Sequence, residues 1–304
     1  MAASSSAKVL STFKPGLFNS KVAIVTGGGT GIGKTITREL LNLGCKVMIA
    51  SRNVERLQKA AKQMKEELDK DGTADISYQR CNIKEEDQVQ SLISNTLKEF
   101  GKIDYLVNNG GGQFLSSIGD LSTKGWNAVI QTNLTGTFQM CREVYNQWMK
   151  DNGGSIVNIT INTISGAPGG GHSGAARAGV DNLCKTLALE WARNGVRINN
   201  VAPGPIYSET AAANYKDLPF LTNTIPIIPC KRLGTTEEVS ATVCFLLSRA
   251  ASFMTGQTVT VDGGASLYGH LIFKAADHEN SEPYTWGEYT APTLADYYKN
   301  KNPK

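Results

Sequence analysis

The chain has 304 residues, 40% of them hydrophobic, and a formal net charge of +4. That is enough apolar material for a sizeable core. The mild charge, with Lys and Arg scattered along the chain, excludes a nucleic-acid-binding patch and suits a ligand that carries phosphates. Six widely spaced cysteines form no C-x-x-C or Cys/His cluster, so no metal site is expected and a reducing compartment is. No apolar run is long enough to cross a bilayer, so no integral membrane segment is expected.

Residues 1–19 read as a flexible leader. The segment lacks an apolar signal-peptide core and has no acidic residue, a feature shared with mitochondrial leaders, but arginine is missing there too. From residue 20 to 268 the pattern alternates. "KVAIVTGG" (21–28) is a short apolar run ending in glycines, as expected of a buried parallel strand. "KTITRELLNLG" follows with helical spacing and a terminal glycine. "KVMIA", "ISYQRC", "IDYLVNN", "SIVNIT", "RINNVAP" and "QTVTVDGG" predict six more strands, with helices over 53–70, 85–100, 122–150, 172–194 and 235–248. Seven strands with interleaved helices predict an α/β fold: a Rossmann-type, doubly wound, seven-stranded parallel sheet with helices on both faces. Nothing within 20–268 reads as a linker, so one domain is expected. Residues 269–304 form an extension rich in aromatics, expected either to dock on a surface or to be disordered.

The chemistry begins at "TGGGTGIG" (26–33). Gly27, Gly31 and Gly33 follow a strand and open a helix, with Thr30 and Ile32 in the same turn. Glycine lets the backbone approach a pyrophosphate, and a helix N-terminus favours negative charge. The second strand ends in Ser51 and Arg52, where an NAD site would carry an acid for the adenosine ribose. A guanidinium can instead grip a 2′-phosphate, which points to NADPH as the cofactor. The blander reading of Arg52 is a solvated charge at a helix start.

"TGGGTGIG", "NNGG" (108–111), "TNLTGTF" (132–138), "VNIT" (157–160), "RINNVAPGPI" (197–206) and "TGQTVTVDGG" (255–264), in this order, resemble the short-chain dehydrogenase/reductase family. "CNI" (81–83), "LVNNGGGQF" (106–114) and "HSGAARAGV" (172–180) are most similar to its peroxisomal trans-2-enoyl-CoA reductases, with 2,4-dienoyl-CoA reductases as the nearest cousins. The resemblance implies that Asn82, Asn109 and Gly110 lie against the adenosine and its ribose. It also implies that Pro203, Gly204, Ile206 and Ser208 flank the nicotinamide, and that Asn133 helps hold an active-site water network. Family spacing sets Ser173 and Arg177 where a tyrosine and a lysine usually stand, with Arg177 also holding the cofactor ribose. Four residues apart on a helix, the two side chains share one face. A second register, Asp181 and Lys185, has the same spacing about 12 Å further along the helix. It is read as an exposed ion pair rather than the centre.

Losing the tyrosine changes the chemistry available. Ketone reduction needs a matched proton donor beside the oxygen. Conjugate reduction of an enoyl thioester needs mainly fixed hydrogen-bond donors on an enolate oxygen. Ser173 can supply one and Arg177 a positive field, with the proton arriving from water or, as a weaker candidate, from Thr163. His172 could also donate, against a capping or packing role.

The expected activity is therefore NADPH-dependent reduction of trans-2-enoyl-CoA to acyl-CoA in fatty acid metabolism. The alternatives are 2,4-dienoyl-CoA reduction and cofactor binding without catalysis. The resemblance further implies a substrate lid over 207–234, a homodimer or homotetramer, and a peroxisomal location, with cytoplasm and mitochondrion as alternatives. The terminal Asn-Pro-Lys is unlike the Ser-Lys-Leu address. Within the lid, Lys231 and Arg232 are candidates for the phosphates of coenzyme A or, equally, solvated charges.

Overall fold

Short runs, mostly of β-branched and aliphatic residues, become the strands of one sheet. The computed structural model describes residues 11–68, 74–162, 166–208, 210, 220–267, 276–286 and 291–301. The strands are β1 (Val22–Thr26), β2 (Lys46–Ser51), β3 (Ile76–Arg80), β4 (Tyr105–Asn108), β5 (Gly154–Ile159), β6 (Val196–Pro203) and β7 (Thr258–Val261). All pair in parallel, in the order β3-β2-β1-β4-β5-β6-β7. The order reverses between β1 and β4, and the crevice outside their carboxyl ends is where such sheets bind ligands. This is the Rossmann-type fold expected.

The helices are α1 (Gly31–Asn42), α2 (Val54–Leu68), α3 (Glu86–Phe100), α4 (123–152), α5 (Gly171–Trp191), α6 (Phe220–Asn223), α7 (Thr236–Leu247) and α8 (Leu294–Lys301). The long α4 is α-helical over Thr123–Ile130 and Gly136–Val144, with π turns at Gln131–Thr135 and Tyr145–Met149. A capping box between Thr235 and Glu238 starts α7.

Apolar side chains pack on both faces of the sheet. One cluster joins Leu40, Leu57, Met64, Val239 and Val243 to β1 and β2, and the other joins Leu92, Met140, Val144, Cys184 and Trp191 to β4, β5 and β6. Tyr145 stacks on Trp191 with ring centroids 4.2 Å apart.

Two segments outside the sheet differ from the sequence reading or resolve it. Residues 11–19 of the expected flexible leader belong to the fold. Phe18 is buried against Tyr105, with ring centroids 5.3 Å apart, and Ser11 donates to Glu39 at 2.7 Å. Phe13 packs against the same core cluster as Phe18, so two aromatic side chains anchor the segment. The described residues of the aromatic extension dock on the rest of the chain: Trp286 is buried beneath the Arg38 guanidinium, and Leu294 joins Ile225, Ile228 and Leu233 in a small third cluster.

Candidate active site

The glycine turn after β1 is built for close backbone approach. Gly27 and Gly31 adopt φ of +68° and +51°, which side-chain-bearing residues rarely adopt. A Cβ on Gly33 would come within 2.3 Å of the Gly27 carbonyl, and one on Gly28 within 2.5 Å of Ile49. The Thr30 side chain makes no capping bond to the N-terminus of α1, and the first turn of α1 holds no acid. An α-helix N-terminus left uncapped by its own N-cap residue, at the carboxyl end of β1, fits a pyrophosphate. Thr30 is the N-cap residue, and Ile32 and Gly33 follow in the first turn.

Asn109 and Gly110 brace this turn. Asn109 Nδ2 donates to the carbonyl of Thr26 at 3.0 Å, while the backbone N–H groups of Asn109 and Gly110 donate to Thr26 Oγ1 at 3.0 and 2.8 Å. The Asn109 side-chain amide and backbone N–H thus both shape the turn. Asn82, after β3, donates through Nδ2 to Glu85 at 3.2 Å.

Ser51 is half-buried and donates to the carbonyl of Asn53 at 3.3 Å. Arg52 is exposed and makes no ion pair among the described residues. A free guanidinium at the end of β2 fits a 2′-phosphate; with the glycine turn, it makes the residues present compatible with NADPH.

Across the crevice, Gly204 N donates to the Val261 carbonyl at 2.9 Å, and a Cβ there would lie 2.5 Å from Asp262 Cβ. Pro203 ends β6, Ile206 bridges Gly234, and Ser208 Oγ lies 3.6 Å from where a Gly31 Cβ would stand. Of these four residues, Ser208 is thereby placed beside the glycine turn.

Ser173 and Arg177 sit in the first two turns of α5. Ser173 is buried, and its hydroxyl donates to Gln113 Oε1 at 2.7 Å. Arg177 donates through Nη1 to the Ile159 carbonyl at 2.5 Å and through Nη2 to Asn133 Oδ1 at 3.3 Å. Its Nε is buried without a partner among the described residues. Among the described residues no carboxylate pairs with this guanidinium. Burial lowers its pKa to about 10, so it stays charged at neutral pH. Asn133, fully buried in the first π turn of α4, also clasps Gly112, accepting from its N–H at 3.0 Å and donating to its carbonyl at 2.8 Å. π turns recur at functional sites because they re-aim side chains.

Asp181 and Lys185 lie on the same helix but outside this constellation. Lys185 Nζ donates to Asp181 Oδ2 at 2.5 Å with more than half of the lysine side chain exposed, and Thr258 Oγ1 donates to Asp181 Oδ1. Burial would raise the Asp181 pKa, but the hydrogen bonds from Lys185 and Thr258 outweigh it and hold the carboxyl below its ordinary value. His172 is fully buried, packs edge-on against Phe114 at 4.5 Å, and has no partner for either ring nitrogen among the described residues. Thr163 lies outside the described residues.

Sequence reasoning missed Gln113 as the partner of Ser173 and Ile159 as that of Arg177, since neither contact has a local signature. Lys231 and Arg232 require correction as coenzyme A contacts. Lys231 is buried, donating to the Pro226 carbonyl at 2.7 Å and pairing with Asp277 at 3.5 Å. Arg232 grips both oxygens of Glu238, at 2.6 and 3.0 Å. Both charges are spent within the chain.

A parallel sheet with a glycine cradle at its switch point and buried donors on the facing helix defines a dinucleotide-binding oxidoreductase. A family model described as Enoyl-(Acyl carrier protein) reductase matches residues 27–266. A peroxisomal 2,4-dienoyl-CoA reductase of Danio rerio is 36% identical over 273 residues, covering 84% of this chain and 84% of that protein. A probable 2,4-dienoyl-CoA reductase of Bacillus subtilis is 35% identical over 251 residues, covering 81% and 97%. Among solved structures, a citronellol catabolism dehydrogenase of Pseudomonas aeruginosa PAO1 is 43% identical with a TM-score of 0.74, covering 84% of this chain and 99% of that one. The chain belongs to the short-chain dehydrogenase/reductase family of oxidoreductases.

Proposed function

We propose that the chain uses NADPH to reduce the 2,3 double bond of trans-2-enoyl-CoA thioesters to saturated acyl-CoA. The observation that carries this reading is the buried Arg177 guanidinium, which has no carboxylate partner among the described residues and has the Ser173 hydroxyl one helical turn away. An unpaired buried cation is costly unless negative charge develops beside it. Helix α5 holds no tyrosine, which disfavours ketone reduction, where an alkoxide must be protonated.

NADPH, when bound, supplies the hydride to C3 of the substrate. Ser173, released from Gln113, donates to the thioester oxygen as charge spreads onto it. Arg177 supplies a fixed positive field, and Asn133 fixes the guanidinium in place. These are preorganised donors aimed at developing charge, the arrangement worth most in a water-poor site. The proton at C2 arrives from water.

The names of the curated relatives favour a second reading, reduction of 2,4-dienoyl-CoA. There the charge of an extended dienolate falls on the same thioester oxygen, so the same donors serve. NADPH oxidation measured in parallel with enoyl-CoA, 2,4-dienoyl-CoA and 3-ketoacyl-CoA substrates decides among them. Enoyl-CoA should react fastest and 3-ketoacyl-CoA not at all. Tight NADPH binding with no turnover on any of the three would indicate cofactor binding without catalysis.

Peroxisome is the compartment proposed with this activity, in line with the names of several relatives. The proposed assembly is a symmetric homo-oligomer through α4 and α5, where a shallow apolar groove lies between Leu134, Phe138, Gly179 and Leu183. Light scattering at micromolar concentration should give a dimer or tetramer. A monomer would count against this assembly.

A further inference from the structure

The turn after β6 is held from behind by a backbone ladder. Gly234 N donates to the Pro205 carbonyl at 3.0 Å, and Tyr207 N donates to the Gly234 carbonyl at 2.8 Å. The other side of this strip is held by the C-terminal extension: Leu233 N donates to the Pro292 carbonyl at 3.2 Å, and Arg232 forms an antiparallel bridge with Thr293. Three lengths of chain, 205–207, 232–234 and 292–293, thus lie side by side.

Side chains lock the same strip. Arg232, forked on Glu238, also donates through Nε to the Ser281 carbonyl at 3.0 Å. Lys231 is 2% exposed and sits at φ +55°, so both its charge and its backbone are costly. Asp277 offsets part of that cost, and the same Asp277 accepts from Tyr298 of α8 at 2.8 Å. Ile225, Ile228 and Leu233 close over Ala291 and Leu294 beneath. A ladder and a small core of this kind would be superfluous if the extension were only a solvated tail.

We infer that the extension, through its described residues 276–286 and 291–301, is a positioning element of the nicotinamide pocket: it clamps 231–234, which in turn fixes the Pro203–Ser208 turn. The inference rests on the reading that this turn flanks the nicotinamide. The adenosine end of the cofactor is held separately, by the glycine turn and Arg52. Loosening the clamp should therefore act on one end of the cofactor alone. Small misplacement at a reacting centre is expensive in rate.

The test uses the full chain carrying Asp277→Lys, which sets a like charge beside Lys231, and Tyr298→Phe, a milder change on an exposed side chain. Titrations with 2′,5′-ADP report the adenosine end alone, titrations with NADPH report both ends, and single-turnover hydride transfer to enoyl-CoA reports alignment. Asp277→Lys should leave 2′,5′-ADP affinity unchanged, shrink the affinity advantage of NADPH over 2′,5′-ADP, and slow transfer by about tenfold to a hundredfold. Tyr298→Phe should give the same split at smaller size, and the swap Lys231→Asp with Asp277→Lys should recover part of the loss. Unchanged NADPH affinity and transfer in both variants would overturn the inference. So would a parallel loss of 2′,5′-ADP binding, which would make the extension a general stabiliser. Failure of the unmodified protein to bind 2′,5′-ADP would instead overturn the cofactor reading.

Discussion

Arg177 on α5 and Asn133 in the first π turn of α4 are joined by a 3.3 Å hydrogen bond, and the space beside that bond fits only glycine. A Cβ on Gly111 would lie 2.5 Å from Arg177 Nη2 and 2.7 Å from Asn133 Oδ1. Gly111→Ala should therefore displace the guanidinium and reproduce much of Arg177→Ala without removing the charge. Both variants should slow hydride transfer by about 10²–10³, the usual cost of one lost oxyanion donor. Arg177→Ala should also weaken NADPH binding, since the guanidinium is assigned to the ribose as well. Single-turnover rates and NADPH titrations check this; a Gly111→Ala enzyme with wild-type transfer would show that the guanidinium position is not critical.

Arg52 stands exposed at the end of β2, where the adenosine ribose is expected. Arg52→Asp should move preference from NADPH towards NADH, because it removes a phosphate clamp and adds a repelling charge. The loss of NADPH affinity should be about 1.5–3 kcal/mol, the range for hydrogen bonds to charged groups. Paired NADPH and NADH titrations measure it, and unchanged NADPH affinity would place Arg52 away from the phosphate.

Although β3 (ISYQR) is mostly polar, most strands were legible because they are short apolar runs, such as "VAIVT". The glycine turn was legible for the same reason: its spacing is local. What the sequence hid is non-local. Lys231 and Arg232 read as phosphate contacts or solvated charges because their partners, Asp277 and Glu238, are not adjacent in the chain. Phe18 looked like part of a leader because the residue it packs on, Tyr105, lies far along the sequence. The π turn that presents Asn133 has no compositional mark, and Gln113 sits in an irregular loop whose path no periodicity dictates.

Glu39 is a buried carboxyl bound by the hydroxyls of Ser11 and Ser240, with Tyr284 at 3.5 Å. Burial raises its pKa above the ordinary 4.5, against those hydrogen bonds. The folded protein then keeps a proton that the unfolded chain releases. Its contribution to stability is complete below 4.5 and is lost as pH rises through the folded value. Glu39→Gln removes that dependence, so its stability relative to wild type should improve with rising pH, by at most about 1.4 kcal/mol per pH unit. Urea unfolding of both proteins over a pH series tests the sign; a difference independent of pH would mean Glu39 titrates normally.

Asp181 and Ser173 separate the two registers on α5. Asn108, Asn158, Asn200 and Thr258 stand opposite one another on adjacent strands, and each amide donates to the next residue: Asn108 to Asn158 and Asn158 to Asn200 at 2.9 Å, Asn200 to Thr258 at 3.1 Å. Thr258 then donates to Asp181. Asp181 therefore terminates a polar rung that pins α5 to the sheet, which is a structural task. Asp181→Ala should cost stability on the order of one hydrogen bond, about 0.5–1.5 kcal/mol, and leave hydride transfer within a few-fold of wild type. Ser173→Ala should do the reverse. It removes the proposed donor to the thioester oxygen, so transfer should slow by about 10²–10³, while NADPH binding stays near wild type. Stopped-flow transfer and denaturant melts on the two variants give the comparison. Abolished turnover in Asp181→Ala with near-normal Ser173→Ala would move the active centre two turns along the helix, onto Asp181 and Lys185.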